Sequence, residues 1–230
     1  LVRDGHVVGS FHWGTSKKST FTTSIELDFI SHLAAIIGIC LENCVNAERL
    51  SQLSLLDPVT RLSNARAFGL ELRKEISRAH RGQKALTLLL LHVDDYKHIT
   101  DSYGHLSGDH VLKAIGGKIS AMLRHTDYLA RISPDEFGIL LPACSESKGQ
   151  EIAERMRSET EFMEIDDGRG ANLFASLAVG ISTWNPQIYP AVNMEQLSSQ
   201  LQATSRQALK RAVLAGGNRV SLNRLTTLIV

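Results

Sequence analysis

YLARISPDEFGILL, the stretch Tyr128–Leu141, contains two short apolar runs separated by a polar turn. The runs, Tyr128–Ile132 and Phe137–Leu141, have the length and composition of β-strands. Between them lies Ser133-Pro134-Asp135-Glu136, where proline is favoured because its fixed φ suits a turn position. The stretch therefore predicts a β-hairpin that carries two carboxylates at its tip.

The segments on either side of this hairpin predict the rest of the domain. Leu86–Val93 is almost continuously apolar, which is typical of a strand buried on both faces. The remaining predicted elements are a short helix over residues 68–76, helices over residues 96–124 (broken at Gly104 and Gly108), 146–161 and 194–214, and strands over residues 173–182 and 218–222. This order favours an α+β fold, an antiparallel sheet with helices on one side, as in the ferredoxin-like palm.

The first part of the chain has a different pattern. Arg3-Asp4-Gly5 and a strand over Val7–Trp13 precede a long helix, for which Thr23 or Ser24 is the expected cap. No proline interrupts this helix until Pro58.

Within the long helix, apolar residues recur three and four positions apart, as in a heptad seam. They are Ile30, Leu33, Ile37, Cys40, Cys44 and Ala47. One interpretation is a parallel coiled dimer; the other is that the first half of the helix packs on a sheet of its own domain. Both can hold along one helix.

Composition excludes several classes of protein. A net charge of +1 with dispersed basic residues gives no face for a nucleic-acid polymer. The three cysteines show no metal-binding or disulfide spacing, and we expect buried thiols in a reducing cytoplasm. The longest apolar run, Leu33–Leu41, is too short to span a bilayer, and no signal-peptide pattern is present, so we expect no membrane insertion. The first residue falls in mid-pattern, which indicates a piece of a longer protein.

Carboxylates at adjacent strand ends are the chemical signal in this chain. The buried strand ends at His92-Val93-Asp94, and the hairpin tip carries Asp135 and Glu136. Such a cluster suits a magnesium–nucleotide site, because the ion prefers hard oxygen ligands. The alternative is that these acids are simply solvated.

Four motifs in order resemble those of a GGDEF (diguanylate cyclase) domain. They are Asp57-Pro58-Val59-Thr60-Arg61-Leu62-Ser63-Asn64, His92-Val93-Asp94-Asp95-Tyr96-Lys97-His98-Ile99-Thr100-Asp101, Tyr103-Gly104-His105-Leu106-Ser107-Gly108-Asp109, and Ser133-Pro134-Asp135-Glu136-Phe137. Gly216-Gly217-Asn218-Arg219-Val220 is similar to the family's closing motif. The resemblance implies a bacterial cyclic di-GMP signalling protein. In the family, two protomers each hold one GTP and join them into cyclic di-GMP, so a homodimer is implied as well.

The chain departs from the family at the implied active site. His92 stands where the family has a magnesium-binding aspartate, and Thr100 stands in place of a guanine-reading asparagine. Ser133 and Pro134 replace two glycines that let the turn approach the nucleotide. Val213 and Gly217 fall on a phosphate-contacting lysine and arginine. Losing one such charge partner lowers a rate by about a hundredfold to a thousandfold, so we expect no useful turnover.

Some residues of the implied site remain. Asp135 and Glu136 would be vestigial catalytic residues that hold a metal weakly, and Lys97 and Asp109 would be nucleotide-binding residues. Magnesium is expected only if GTP is bound. A second interpretation is that Asp94 and Asp109 persist as capping and turn residues.

A second site is implied by the resemblance. Arg124-His125-Thr126-Asp127 has the Arg-x-x-Asp pattern, with five residues between Asp127 and Ser133, as in the family's inhibitory product site. Arg155 lies where similar proteins have a supporting arginine. Arginine can fork a phosphate or the guanine Hoogsteen edge, while aspartate accepts from guanine N–H groups. The alternative is a surface arginine and aspartate at a helix end.

The sequence thus predicts three regions. Residues 1–47 resemble the C-terminal part of a GAF sensor domain, through Arg3-Asp4-Gly5 and Leu41-Glu42-Asn43. Residues 48–56 are a helical linker that could continue the coiled-coil seam, and residues 57–230 are a degenerate GGDEF domain.

Three hypotheses for the function follow. The leading one is an inactive GGDEF domain that is a cyclic di-GMP receptor, coupled to the sensor and to an unknown output protein. The alternatives are an active diguanylate cyclase and a nucleotide-independent dimerisation or interaction module.

Overall fold

The computed structural model describes residues 2–3, 6–7, 9–10, 16, 27–168, 170, 172–189 and 193–225. The chain divides into two compact units, Leu1–Ser54 and Leu55–Val230. In the first unit, β1 (Val2–Arg3) pairs antiparallel with β2 (His6–Val7), and α1 is Leu27–Leu53. The strand prediction over residues 11–13 and the caps at Thr23 or Ser24 lie outside the described residues.

Helix α1 has half-buried and exposed apolar side chains over residues 32–46. Leu33 and Ile37 are half-buried, whereas Ile36 and Ile39 are exposed. Cys40 and Cys44 are exposed as well, so the prediction of buried thiols is wrong for them and is confirmed for Cys144 alone. The coiled-dimer interpretation stays a prediction for the second half of the seam.

A six-stranded mixed sheet is the centre of the second unit. Its order is β10 (Arg219–Leu222), β9 (Leu177–Trp184), β4 (Leu86–Val93), β6 (Glu136–Pro142), β5 (Tyr128–Ser133), β3 (Ser63–Asn64). The four inner strands are antiparallel, while β10 pairs parallel with β9 and β3 pairs parallel with β5. A small separate ladder joins β7 (Ile165–Asp166) to β8 (Asn172–Leu173).

Helices cover both faces of the sheet, so the expectation of helices on one side was wrong. Alternate residues of β4 point to opposite faces. Leu89, Leu91 and Val93 pack with α4 (His105–Met122) and α5 (Glu146–Glu161). Leu86, Leu88 and Leu90 pack with α2 (Ala65–Gly82) and α6 (Met194–Leu214). The near-continuous apolar run of β4 follows from this double burial.

Two predicted boundaries are corrected by the structure. The helical stretch after β4 breaks only at Gly104, with φ +88°, into α3 (Tyr96–Tyr103) and α4. Gly108 lies within α4 and does not break it. Its missing side chain lets α4 lie against Tyr96 and Thr100 of α3. The strand predicted over residues 173–182 is divided between β8 and β9, since Leu173 pairs with Ile165 instead of continuing into β9.

No helix among the described residues is both long enough and apolar enough to cross a lipid bilayer.

Candidate functional site

The hairpin tip lies directly beside the end of β4, as the sequence predicts. In the antiparallel register, His92 is opposite Glu136. The amide of Val93 donates to the carbonyl of Asp135 at 2.9 Å. The pairing of β4 with β6 therefore fixes both acidic residues at the strand end.

Asp135 faces His92 across this strand end. Its Oδ2 lies 3.6 Å from His92 Nδ1, and its Oδ1 accepts a hydrogen bond from Ser133 Oγ at 3.3 Å. Both side chains are half-buried. An imidazole therefore faces this carboxylate, at the place where the resemblance implies a second acid.

Glu136 is paired with a residue that the sequence did not point to. Arg206 Nη1, from α6, donates to Glu136 Oε1 at 2.7 Å and also contacts Oε2. The carboxylate is 15% exposed and the guanidinium 53% exposed. The negative charge of Glu136 is thus already matched by a cation of the same chain.

A second arginine holds the turn from its other side. Arg131 Nη1 lies 3.1 Å from Asp57 Oδ1, and Nη2 donates to the carbonyl of Pro134 at 2.7 Å. Burial alone would raise the pKa of Asp57, but hydrogen bonds from Thr60 and the contact with Arg131 bring that pKa below its ordinary value of 3.8. The turn is therefore tied to the start of the second unit.

Tyr96 lies near Asp109, one of the residues that the resemblance implies for nucleotide binding. A side-chain carbon added at Gly108 would come within 3.0 Å of its hydroxyl and 2.6 Å of Thr100 Cγ2. The pKa of Tyr96 is raised, first by burial and then by the charges of Asp109 and Asp135, against an opposing effect of Arg131. The phenol therefore shares one electrostatic environment with both acids. Lys97 is exposed on α3.

Asp94 has a structural role in this geometry. Its Oδ2 accepts hydrogen bonds from Ser176 Oγ at 2.6 Å and from the amide of Asn218 at 2.7 Å. Gly217 has φ +69°, and an added side-chain carbon would lie 2.6 Å from the Asp94 carboxylate. The turn after α6 is thus built around Asp94, which agrees with the capping-and-turn interpretation for this residue.

The Arg-x-x-Asp residues come together at the end of α4. Asp127 Oδ2 accepts from the amide of Arg124 at 2.9 Å, and the Asp127 amide donates to the Arg124 carbonyl at 3.0 Å. Arg155, on α5, donates to the carbonyl of Met122 at 3.2 Å. These bonds fix the aspartate and orient Arg155 toward the helix end.

These three residues line one pocket of about 280 Å³. Its other lining residues are Met122, Leu123, Lys148, Glu151 and Ile152. Lys148 pairs with Glu151 at 2.7 Å, and that hydrogen bond lowers the pKa of Glu151. Arg124 and Arg155 are exposed. Within the described part of the chain, no ion pair to the Arg124 guanidinium is seen.

As the side chains stand, they do not form a magnesium site at the hairpin. Glu136 is bound to Arg206, and Asp135 accepts a hydrogen bond from Ser133 and faces an imidazole. Over the residues that the structure describes, no three His, Cys, Asp or Glu side chains converge as metal ligands. A weak site at Asp135 and Glu136, as predicted, would require Arg206 to leave.

Comparison with known proteins identifies the second unit. Residues 54–219 match the profile of the family described as diguanylate cyclase, GGDEF domain. The chain belongs to the GGDEF family. This confirms the resemblance seen in the four motifs, and the α+β palm fold expected from it.

Relatives of this GGDEF chain include named cyclases. It is 34% identical over 171 residues to diguanylate cyclase DgcP of Pseudomonas aeruginosa. The aligned region covers 74% of this chain and 24% of DgcP. It is 27% identical over 229 residues to diguanylate cyclase A of Treponema denticola, covering 97% of the chain and 58% of that protein. The chain thus spans about a quarter to three-fifths of these relatives' lengths.

A solved GGDEF domain has the same fold. The GGDEF domain of DgcB from Caulobacter crescentus, solved in complex with c-di-GMP, superposes with a TM-score of 0.66 at 22% identity. The match covers 74% of this chain and 95% of that domain.

Sequence reasoning on this GGDEF domain missed four site residues: Arg131, Lys148, Ser176 and Arg206. Arg131 had a usable signal, because it lies two residues before the turn on the predicted hairpin strand. Arg206 had none, since its contact with Glu136 depends on how α6 lies across the sheet.

Proposed function

We propose that this chain is a catalytically inactive GGDEF domain that receives cyclic di-GMP through Arg124, Asp127 and Arg155. The observation that carries the proposal is the contrast between two sites of one domain. At the hairpin, Glu136 is paired with Arg206, and Asp135 lies 3.6 Å from His92. At the end of α4, two exposed arginines and an oriented aspartate share a pocket.

The pocket offers the donors and the acceptor that a guanine dinucleotide needs. Each guanidinium can give two parallel hydrogen bonds to a phosphate or to the O6 and N7 edge of guanine. The Arg124 amide holds Asp127 in place through one oxygen, and its carboxylate can accept the guanine N1 and N2 hydrogens. Because these groups come from the α4–β5 turn and from α5, a bound ligand would tie the two segments together.

The proposed loss of catalysis follows from missing charged side chains at the implied active site. Two GTP molecules bring dense negative charge, and the family's chemistry relies on divalent ions and basic side chains to balance it. Here His92, Val213 and Gly217 stand at three positions where the family has charged residues. Gly217 adjoins Asp94 at a positive φ, so an arginine there would be strained and crowded.

The upstream part of the proposal is a GAF-type sensor over residues 1–47, joined through a helical linker, with a homodimer formed along the exposed face of α1. An apolar face with Ile36 59% exposed and Ile39 51% exposed supports a contact between copies. The output protein would recognise the ligand-bound form.

The test of the receptor proposal is calorimetric titration of the protein with cyclic di-GMP. We expect low-micromolar binding that weakens about tenfold to a hundredfold in Arg124→Ala, because one charged hydrogen-bonding partner is lost. Arg73→Ala, an exposed arginine on α2, is the matched control and should bind as the unchanged protein does. Equal affinity in all three proteins would contradict the assignment of the site.

The alternative function is an active cyclase, which the named relatives and the retained Asp135 and Glu136 favour. It requires cyclic di-GMP production from GTP and magnesium that Glu136→Ala abolishes, and we expect none. If neither cyclic di-GMP nor GTP binds, the chain is a nucleotide-independent interaction module.

A further inference from the structure

The ion pair between Arg206 and Glu136 joins α6 to the hairpin at the strand end where a metal would be expected. We propose that the Arg206 guanidinium is a built-in cation that takes the place of a divalent ion on Glu136. Glu136 is then a structural residue of the hairpin. This inference does not depend on whether the pocket at Arg124 binds cyclic di-GMP.

Arg206 is held in position by the residues around it on α6. Ser205 Oγ lies 2.6 Å from Ser182 Oγ on β9 and 3.3 Å from the carbonyl of Leu88 on β4. Gly180 lets the helix backbone approach the sheet so closely that an added side-chain carbon would lie 2.7 Å from Leu209 Cα. The backbone at Arg206 therefore has little freedom to move away from the hairpin.

The other charged groups near Glu136 are directed elsewhere. His92 lies opposite Glu136 in the sheet, but its Nδ1 faces Asp135. Arg131 contacts Asp57 and the Pro134 carbonyl. Within the described residues, Arg206 is thus the cation that contacts both oxygens of Glu136.

A carboxylate whose two oxygens contact one guanidinium has little left to offer a divalent ion. The ion would have to displace the arginine, and the further side chains that the described residues place beside Glu136 at this strand end are Asp135 and an imidazole, a poor set for a hard cation. Because the guanidinium is half-exposed, the ion pair is a competitor that can be removed by mutation without emptying the core.

The experiment is thermal unfolding with increasing Mn²⁺, a probe that accepts both oxygen and imidazole ligands. We expect the unchanged protein and Glu136→Gln to show the same small response. Arg206→Gln should unfold at a lower temperature without metal and rise with Mn²⁺, with a half-maximal concentration at least about tenfold lower than in the unchanged protein. The gain should disappear in the Arg206→Gln, Glu136→Gln double variant.

Lys210→Gln is the matched control, because it removes the same charge from the same helix. It should respond to Mn²⁺ as the unchanged protein does. Two results would overturn the proposal: a Mn²⁺ response in the unchanged protein that Glu136→Gln removes, or no gain of response in Arg206→Gln. The first comparison needs no change at Arg206, so it can overturn the proposal even if Arg206→Gln fails to fold.

Discussion

Asp57 and Arg131 are 74 positions apart in the chain, yet their side chains meet at 3.1 Å. Both are largely shielded, with exposures of 15% and 10%. Through the bond from Arg131 to the Pro134 carbonyl, this ion pair supports the backbone of the hairpin turn. At the scale of single residues, the hairpin is therefore held by charges outside its own motif.

Replacing Asp57 by asparagine tests this support. We expect the free energy of unfolding near neutral pH to fall by about 1.5 to 3 kcal/mol, because Arg131 loses its charged partner. Since the folded-state pKa of Asp57 lies below 3.8, the carboxylate's contribution is complete above that value and is lost as pH falls through the lower folded-state pKa. The difference in the free energy of unfolding between the unchanged protein and Asp57→Asn should therefore disappear in acid.

Denaturant unfolding at neutral and acidic pH measures this gap. Asp101→Asn, at an exposed position of α3, is the control and should change the free energy of unfolding by less than about 0.5 kcal/mol. A gap for Asp57→Asn that is equally large in strong acid would show that the charge is not what matters.

At the scale of elements, the contact between α6 and β9 sets where the hairpin meets its cation. At Gly180 the backbone of α6 lies directly against β9. A Gly180→Ala change should lower the free energy of unfolding by about 3 kcal/mol or more, because the added methyl group would run into the backbone of Leu209. Thermal unfolding followed by circular dichroism measures the effect.

Gly117→Ala is the opposite case on α4. Nothing lies within 4 Å of the added carbon, and the position is exposed in mid-helix. It should raise the free energy of unfolding by roughly 0.5 to 1 kcal/mol through helix propensity. Equal effects of the two changes would mean that the α6–β9 contact is looser than described.

The elements also show what the sequence could predict. The bounds of β4, α5 and α6 agree residue for residue with the periodicity, since long patterns that end in polar or capping residues carry strong local signals. The placing of Asp135 and Glu136 beside His92 followed from strand order. The side of the sheet on which α2 and α6 pack could not be predicted from the sequence, because the apolar stripe of a helix fits either face of a sheet.

The contact between Arg206 and Glu136 could not be predicted from the sequence, because it too depends on how a helix packs on the sheet. An arginine on an exposed helix face has many possible partners, and only the crossing of α6 over the sheet selects Glu136. By contrast, Arg124, Asp127 and Arg155 belong to segments whose spacing from the hairpin is fixed by short elements, and the structure brings them to one pocket.

At the scale of the whole molecule, the second unit should fold without the first. Leu56 bridges to Ser63, and the Asn64 amide donates to the Leu55 carbonyl, so the unit closes on itself at its own beginning. We expect a fragment of residues 55–230 to unfold cooperatively, at the midpoint of the corresponding transition of the full chain, and to bind cyclic di-GMP with the same affinity. Scanning calorimetry of both proteins measures the unfolding midpoint, and calorimetric titration measures the affinity for cyclic di-GMP.

Light scattering of the same pair tests the proposed homodimer. If α1 makes the contact, the full chain is a dimer at concentrations where the fragment is a monomer. Ile36→Glu in the full chain should then give monomers, because a charge replaces an exposed apolar contact. A dimeric fragment would instead assign the contact to the second unit.

The strand order has a consequence for the way the protein is synthesised. β4 lies between β6 and β9, but β9 ends 91 positions after β4 does, at Trp184 against Val93. While the chain emerges from the ribosome, β6 can cover one edge of β4, and the other edge stays bare until β9 follows. An apolar strand with an unpaired edge readily joins a neighbouring chain. Nascent chains that stop before Trp184 should therefore need a chaperone, whereas those that pass it can shield their own central strand.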